Sequence, residues 1–123
     1  GVQIGSRFAA TEEASSHEIW KNKIVSLGEG DTHLTLKELA PVRMVKNKFY
    51  HDLENLYETG RNAEALKETL GRARAKRGMF EGDLEEGELE IGQVSALIEE
   101  ILPVAKVFEN LLKEFRAASV MDL

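Results

Sequence analysis

The sequence predicts a mainly α-helical chain with one or two short strands. Three observations carry this. Apolar residues recur at helical spacing in several segments, whereas strict alternation is confined to residues 1–8 and 33–36. Glycines and prolines fall between these segments more often than inside them. Of the 123 residues, 42% are hydrophobic and 31% charged, which suffices for one domain with a real core and argues against disorder.

The elements follow in order. Val2 and Ile4 alternate and Phe8 keeps their parity, predicting a strand over residues 1–8 that Gly5-Ser6 closes. Ser15 with Glu18 three residues on forms a capping-box pattern, and Ile19, Trp20, Ile24 and Leu27 give the following helix an apolar face. Gly28 and Gly30 stop it. His33-Leu34-Thr35-Leu36 alternates and reads as a short strand or extended stretch. Pro41 holds Ala40 away from helical geometry. From Val45 the pattern turns helical, with Phe49, Leu53, Leu56 and Tyr57 on one face and Gly60 at the end. Asn62 is placed to cap a further helix reaching about Arg77, whose basic run Arg72, Arg74, Lys76 and Arg77 suits a helix C-terminus. An acidic, glycine-containing loop follows over residues 81–90. Residues 94–102 read as a short helix. Pro103 then opens a second, in which Val104, Val107, Phe108, Leu111, Leu112 and Phe115 form a face expected to pack in a core.

Charge and composition narrow the function. A net charge of −6 gives no footprint for nucleic-acid binding. With no cysteine, disulfides and thiolate chemistry are excluded, and a reducing, cytoplasmic setting is expected. No window approaches the roughly 18 apolar residues of a membrane span. Residues 1–10 lack the basic-then-apolar pattern of a leader peptide. The chain starts at Gly1 rather than Met, and a lone strand cannot satisfy its own edges, so a piece of a longer protein is expected.

Several short motifs in fixed order then carry a resemblance. They are Gly1-Val2-Gln3-Ile4-Gly5-Ser6-Arg7-Phe8, Ala10-Thr11-Glu12-Glu13-Ala14 with His17, Asp31-Thr32, Pro41-Val42-Arg43 with Lys46-Asn47, Gly82-Asp83 with Gly87, and Gly92-Gln93. In this the chain resembles the carboxy-terminal part of the nitronate monooxygenase (2-nitropropane dioxygenase) family and the related flavin-dependent enoyl-acyl-carrier-protein reductases. The resemblance implies a parent of α/β class, an FMN-binding (β/α)8 TIM barrel with a smaller second domain. It implies that residues 1–30 are the last barrel strand and its helix, 31–91 part of the smaller, mostly helical domain, and 92–123 helices returning to the barrel. Strands one to seven would be absent, and so would the family's catalytic histidine, which lies upstream. No catalytic residue is therefore expected in this chain.

The resemblance also implies site residues. Barrels of this kind hold a phosphate at the loops after strands seven and eight, where glycine lets backbone N–H groups approach an anion. Gly5 and Ser6 would contribute to the FMN phosphate site, the Ser6 hydroxyl standing where Thr is usual, and Gln3 would lie near the flavin. Gln93 would contact substrate, although Val94 departs from the Ser or Ile that often follows. His17, His33 and His51 share no metal-ligand spacing and read as exposed or helix-start residues. The acidic run does not match a calcium-binding loop, so no metal site is expected, and it reads as a solvated loop that pairs with the basic run beside it.

The function implied is a fragment of an FMN-dependent oxidoreductase acting on a small molecule, inactive alone. It would be of the nitronate monooxygenase type, with an enoyl reductase as the alternative. A non-enzymatic helical interaction module is the reading from another class. In either case the unpaired strand and apolar helix faces lead us to expect a homo-oligomer.

Overall fold

A computed structural model describes residues 1–37, 40–60 and 63–120. It is mainly helical with two short strands. The strand expected over residues 1–8 does not form. Residues 1–5 lie outside regular structure and are exposed, and Ser6–Ala9 makes a single helical turn, α1. The physical reason is the absence of a pairing partner: among the described residues the sheet has two strands, and neither pairs with this segment.

Helix α2 spans Glu18–Ser26. Its cap is His17 rather than Ser15. His17 is extended, its Nδ1 accepts the Ile19 N–H at 3.1 Å, and its carbonyl takes the first helical bond from Lys21. Trp20, Ile24 and Leu27 are buried as the periodicity predicts, whereas Ile19 is 48% exposed. Lys21 takes a buried place unforeseen in the sequence. Its ammonium is satisfied by the Glu12 carbonyl at 3.0 Å and the Glu18 carboxylate at 3.1 Å.

Strand β1, Thr32–Thr35, lies where alternation placed it. Strand β2, Val42–Val45, was unforeseen because Val-Arg-Met-Val shows no clean period before the helix. The two are antiparallel, with His33 opposite Met44 and Leu34 opposite Arg43. Helix α3, Lys48–Glu58, starts at Asn47, which works in both directions. Its Oδ1 accepts the Tyr50 N–H, while its Nδ2 donates to the Leu84 and Gly87 carbonyls, both at 2.8 Å. Gly60, at φ 69°, follows the helix end as expected.

Helix α4 spans Ala63–Leu70, and the expected cap at Asn62 lies outside the described residues. The helix does not reach Arg77. Gly71 and Ala73 take φ of 60°, which breaks it, and a π-helical turn follows at Lys76–Phe80. The helix expected over 94–102 is shortened to a 3-10 turn at Gln93–Leu97, with extended backbone after it. Pro103 caps helix α5, Val104–Ser119, from just outside rather than within its first turn. Of the apolar face of α5 only Val107 is buried. Phe108, Leu112 and Phe115 are 55%, 50% and 70% exposed, so the expected core packing does not occur among the described residues.

Two cores share β2. Side chains alternate across a strand, so Val45 joins a core of Ala10, Trp20, Ile24, Leu27, Leu89, Ile91 and Ile98, while Met44 joins one of Leu36, Phe49, Tyr50 and Leu53. The first core draws on residues 1–30, 31–91 and 92–123 alike. Residues 89–91 run beside β2, the Val45 N–H meeting the Leu89 carbonyl at 2.8 Å and the Ile91 N–H the Arg43 carbonyl at 3.2 Å.

The loop leading into that segment crosses the π turn at two glycines. A Cβ on Gly78 would lie 2.7 Å from Leu89 Cδ2 and 2.9 Å from the Glu88 carbonyl, and one on Gly87 would collide with Gly78 Cα. Neither glycine has a positive φ, so the requirement is space rather than backbone freedom. Gly87→Ala should therefore lose on the order of 2 kcal/mol of stability through overpacking. Urea unfolding checks this, and a variant as stable as the parent would show that the crossing is loose.

Candidate functional site

The exposed amino-terminal segment forms one wall of a cleft of about 630 Å³. Gln3, Gly5, Ser6 and Arg7 line that wall, Val94, Leu97 and Ile98 line another, and Asn110 and Glu114 of α5 close the side. Polar contacts from three side chains set this geometry. The Ser6 Oγ accepts the Gly92 N–H at 3.0 Å. Arg7 Nη2 donates to the Ala10 carbonyl at 3.1 Å and the Glu100 carbonyl at 2.9 Å. The Glu13 carboxylate accepts the Val104 N–H at 2.9 Å, capping α5. The turn after residue 5 is thus held to the 92–104 segment from several sides. Arg7 Nε is buried and meets no acceptor among the described residues.

The residues singled out in the sequence fall into two groups. Gln3, Gly5 and Ser6 share the cleft. Gln93 does not join them. It is exposed on a neighbouring depression of about 670 Å³ with Gly28, Thr32 and Arg43, on the other side of the 3-10 turn. Gly5 is informative in itself. Its φ of −102° is open to any residue, and a Cβ there would meet nothing within 4 Å. Neither the conformation nor the packing of this chain requires glycine at that position, but a backbone approached closely by a ligand does. Sequence reasoning carried Arg7 and Gly92 only as motif members and missed their contacts. Their roles are hydrogen bonds spanning 93 and 86 residues, respectively, which no local spacing announces.

The charge runs pair, as expected, but with a different geometry. Arg74 does not end a helix. Its guanidinium lies 5.0 Å from the Phe49 ring centre and donates to the Glu86 carbonyl at 2.6 Å. Arg77 Nε meets Asp83 at 2.7 Å, and Lys48 bridges Asp52 and Glu86. The Glu86 N–H, then the Arg77 side chain, hold the Asp83 carboxyl below its usual range. The hydrogen bond from Lys48 does the same for Glu86. The acidic loop is not simply solvated. Glu88 is buried against Glu90, and burial, followed by the hydrogen bond the two carboxyls share, raises the Glu88 carboxyl to about 7. Among the described residues no three His, Asp or Glu side chains cluster as metal ligands, and no helix is long and apolar enough to cross a membrane.

Comparison with known proteins gives the site its context. The nitronate monooxygenase family model matches residues 1–114. A probable nitronate monooxygenase of Bacillus subtilis (strain 168) is 30% identical over 115 residues, covering 93% of this chain and 33% of that protein. FabK from Thermotoga maritima superposes with a TM-score of 0.86 at 33% identity, over 97% of this chain and 38% of that one. A point variant of that FabK gives 0.78 at 33% identity, over 95% and 34%. These matches define a class, the flavin-dependent barrel oxidoreductases, of which the chain spans about a third of the length. Within that class, the chain belongs to the nitronate monooxygenase family.

The Glu88–Glu90 pair makes stability pH-dependent. In the unfolded chain Glu88 releases its proton near 4.5, whereas in the folded chain it does so near 7. Between these values the folded state binds more protons, so the pair's contribution is full below about 4.5 and is lost as pH rises through 7. Glu88→Gln should remove this decline, and the variant should gain on the parent in urea midpoint from pH 5 to 8. Parallel midpoint curves for the two proteins would contradict it.

Proposed function

We propose that this chain is the flavin-phosphate-holding part of an FMN-dependent oxidoreductase of the nitronate monooxygenase type, and that it is inactive alone. One observation carries the reading. A family match runs over residues 1–114, and Gly5 and Ser6, expected at the FMN phosphate, lie on one cleft with Gln3, expected near the flavin. The residues present suit the group. Gly5 leaves room for an anion beside the backbone, and the Ser6 hydroxyl, which donates to no acceptor among the described residues, keeps its proton for a phosphate oxygen. Gln3 lines the same wall, which supports a contact with the flavin. When bound, FMN would supply the electron transfer, while these side chains bind and orient it. In the parent, residues 1–30 would form the last barrel strand and its helix, 31–91 part of the smaller domain, and 92–123 the return to the barrel. Gln93, across the 3-10 turn from the Gly5 cleft, would then face the small-molecule substrate.

A second reading rests on the solved relatives. The FabK superpositions favour a parent that reduces an enoyl thioester on an acyl carrier, using the same flavin site. Both readings need FMN and differ in substrate, which residues outside this chain would decide. The interaction-module reading has only the exposed face of α5 to support it.

Two outcomes follow. Flavin fluorescence should change saturably when FMN is titrated with this chain. Gly5→Val, which meets no clash in the chain itself, should weaken binding about tenfold or more by blocking the phosphate. Emission unchanged at millimolar chain would overturn the claim that the chain holds the phosphate. The exposed Phe108, Leu112 and Phe115 should also drive self-association to a dimer or larger assembly. A monomer by light scattering at high concentration would count against that.

A further inference from the structure

Gly92 has a job that its backbone does not explain. Its φ of −70° and ψ of 156° are extended values open to any residue. Its surroundings are more demanding. A Cβ at this position would sit 2.7 Å from Ser6 Oγ, so any side chain displaces that hydroxyl. The Gly92 N–H donates to the same oxygen at 3.0 Å, across 86 residues of sequence. Glycine is therefore kept here for space, and the space is filled by one hydroxyl.

A serine hydroxyl offers one donor and two acceptor sites, and its proton rotates to suit its surroundings. With the Gly92 N–H on one lone pair, the proton cannot point that way. Accepting a hydrogen bond also polarises the O–H and makes it a stronger donor. The Ser6 proton meets no acceptor among the described residues, and Ser6 lines the same cleft as Gly5 and Gln3.

We infer that Gly92 is a positioning residue for an anion site, its amide turning the Ser6 hydroxyl into a committed donor toward a phosphomonoester in the Gln3–Gly5–Ser6 cleft. This rests on the flavin-phosphate reading above and adds a residue from the opposite end of the chain. Gly92 bonds to Ser6 and does not itself line that cleft, so its effect would pass through that hydroxyl.

The test is a double-mutant cycle on the 123-residue chain, with FMN and riboflavin as paired probes. Riboflavin shares the flavin ring and lacks the phosphate. Gly92→Ala should weaken FMN about tenfold, the order of one charge-assisted hydrogen bond, and leave riboflavin unchanged. In a Ser6→Ala background the same change should cost nothing further, because the hydroxyl is already gone. Ser6→Thr should keep FMN affinity. A wild-type measurement covers the possibility that Gly92→Ala does not fold: the Gly92 amide resonance should move on adding FMN and stay in place with riboflavin. Several results would overturn the inference and leave the flavin reading intact. They are FMN binding that needs Ser6 but tolerates Gly92→Ala, effects of the two changes that multiply, equal losses for both probes, or an unmoved Gly92 amide. Failure of the folded wild-type chain to bind FMN at all would sink the flavin reading and this inference with it.

Discussion

Two backbone hydrogen bonds on β2 carry much of the remaining architecture. The Val45 N–H meets the Leu89 carbonyl, and the Ile91 N–H meets the Arg43 carbonyl. Together they lay residues 89–91 along the second strand. Leu89 and Ile91 are thereby delivered to the first core beside Val45, while Met44 faces the second. One residue further on, the same register brings Gly92 to Ser6. The loop that feeds this segment can reach it only because Gly78 and Gly87 cross without side chains. Packing and the candidate site thus depend on one short stretch of pairing.

The charge on this framework is arranged around the loop rather than the cleft. Arg74, Arg77 and Lys48 are spent on Glu86, Asp83 and Asp52. Most of these pairs are partly exposed and contribute little each to stability, but Arg74 also lies over Phe49 and holds the Glu86 carbonyl. Their combined effect is to fix the path of residues 83–88. The Glu88–Glu90 pair is different in kind, because burial of the Glu88 carboxyl, with the exposed Glu90 carboxyl hydrogen-bonded to it, favours a protonated Glu88. On the cleft side the basic group is Arg7, whose Nη2 donates to two carbonyls while its Nε meets no acceptor among the described residues.

Periodicity exposed part of this. Helical spacing located α2, α3 and α5, alternation located β1, and the glycine after α3 marked its end. It failed where long-range partners decide. The first eight residues carry a strand pattern, but a strand exists only with a neighbour, and the described residues supply none. In β2 the run Val-Arg-Met-Val breaks alternation at its last residue and leads into a helix, so it shows no clean period. His17 took the cap from the Ser15–Glu18 motif, its own N–H being held by the Met79 carbonyl, and Asn47 caps α3 where no cap was read from the sequence. The apolar face of α5 was legible as apolar, but which surface covers it was not. The candidate site residues Gly5 and Ser6 were legible only through resemblance to a family, since a glycine-serine pair alone says nothing about phosphate. Gly92 was quoted as part of a motif, and its contact with Ser6 could not be read from the sequence at all.

The central claim is that the amino-terminal segment and the turn at Gly92 make one flavin-phosphate site. Hydrogen–deuterium exchange with and without FMN tests it most directly, because it reports where on the chain the ligand acts. The account predicts slower exchange over residues 3–8 and 91–94 when FMN is present, and no change over α3. Protection confined to other regions, or none over residues 3–8 at saturating FMN, would contradict it.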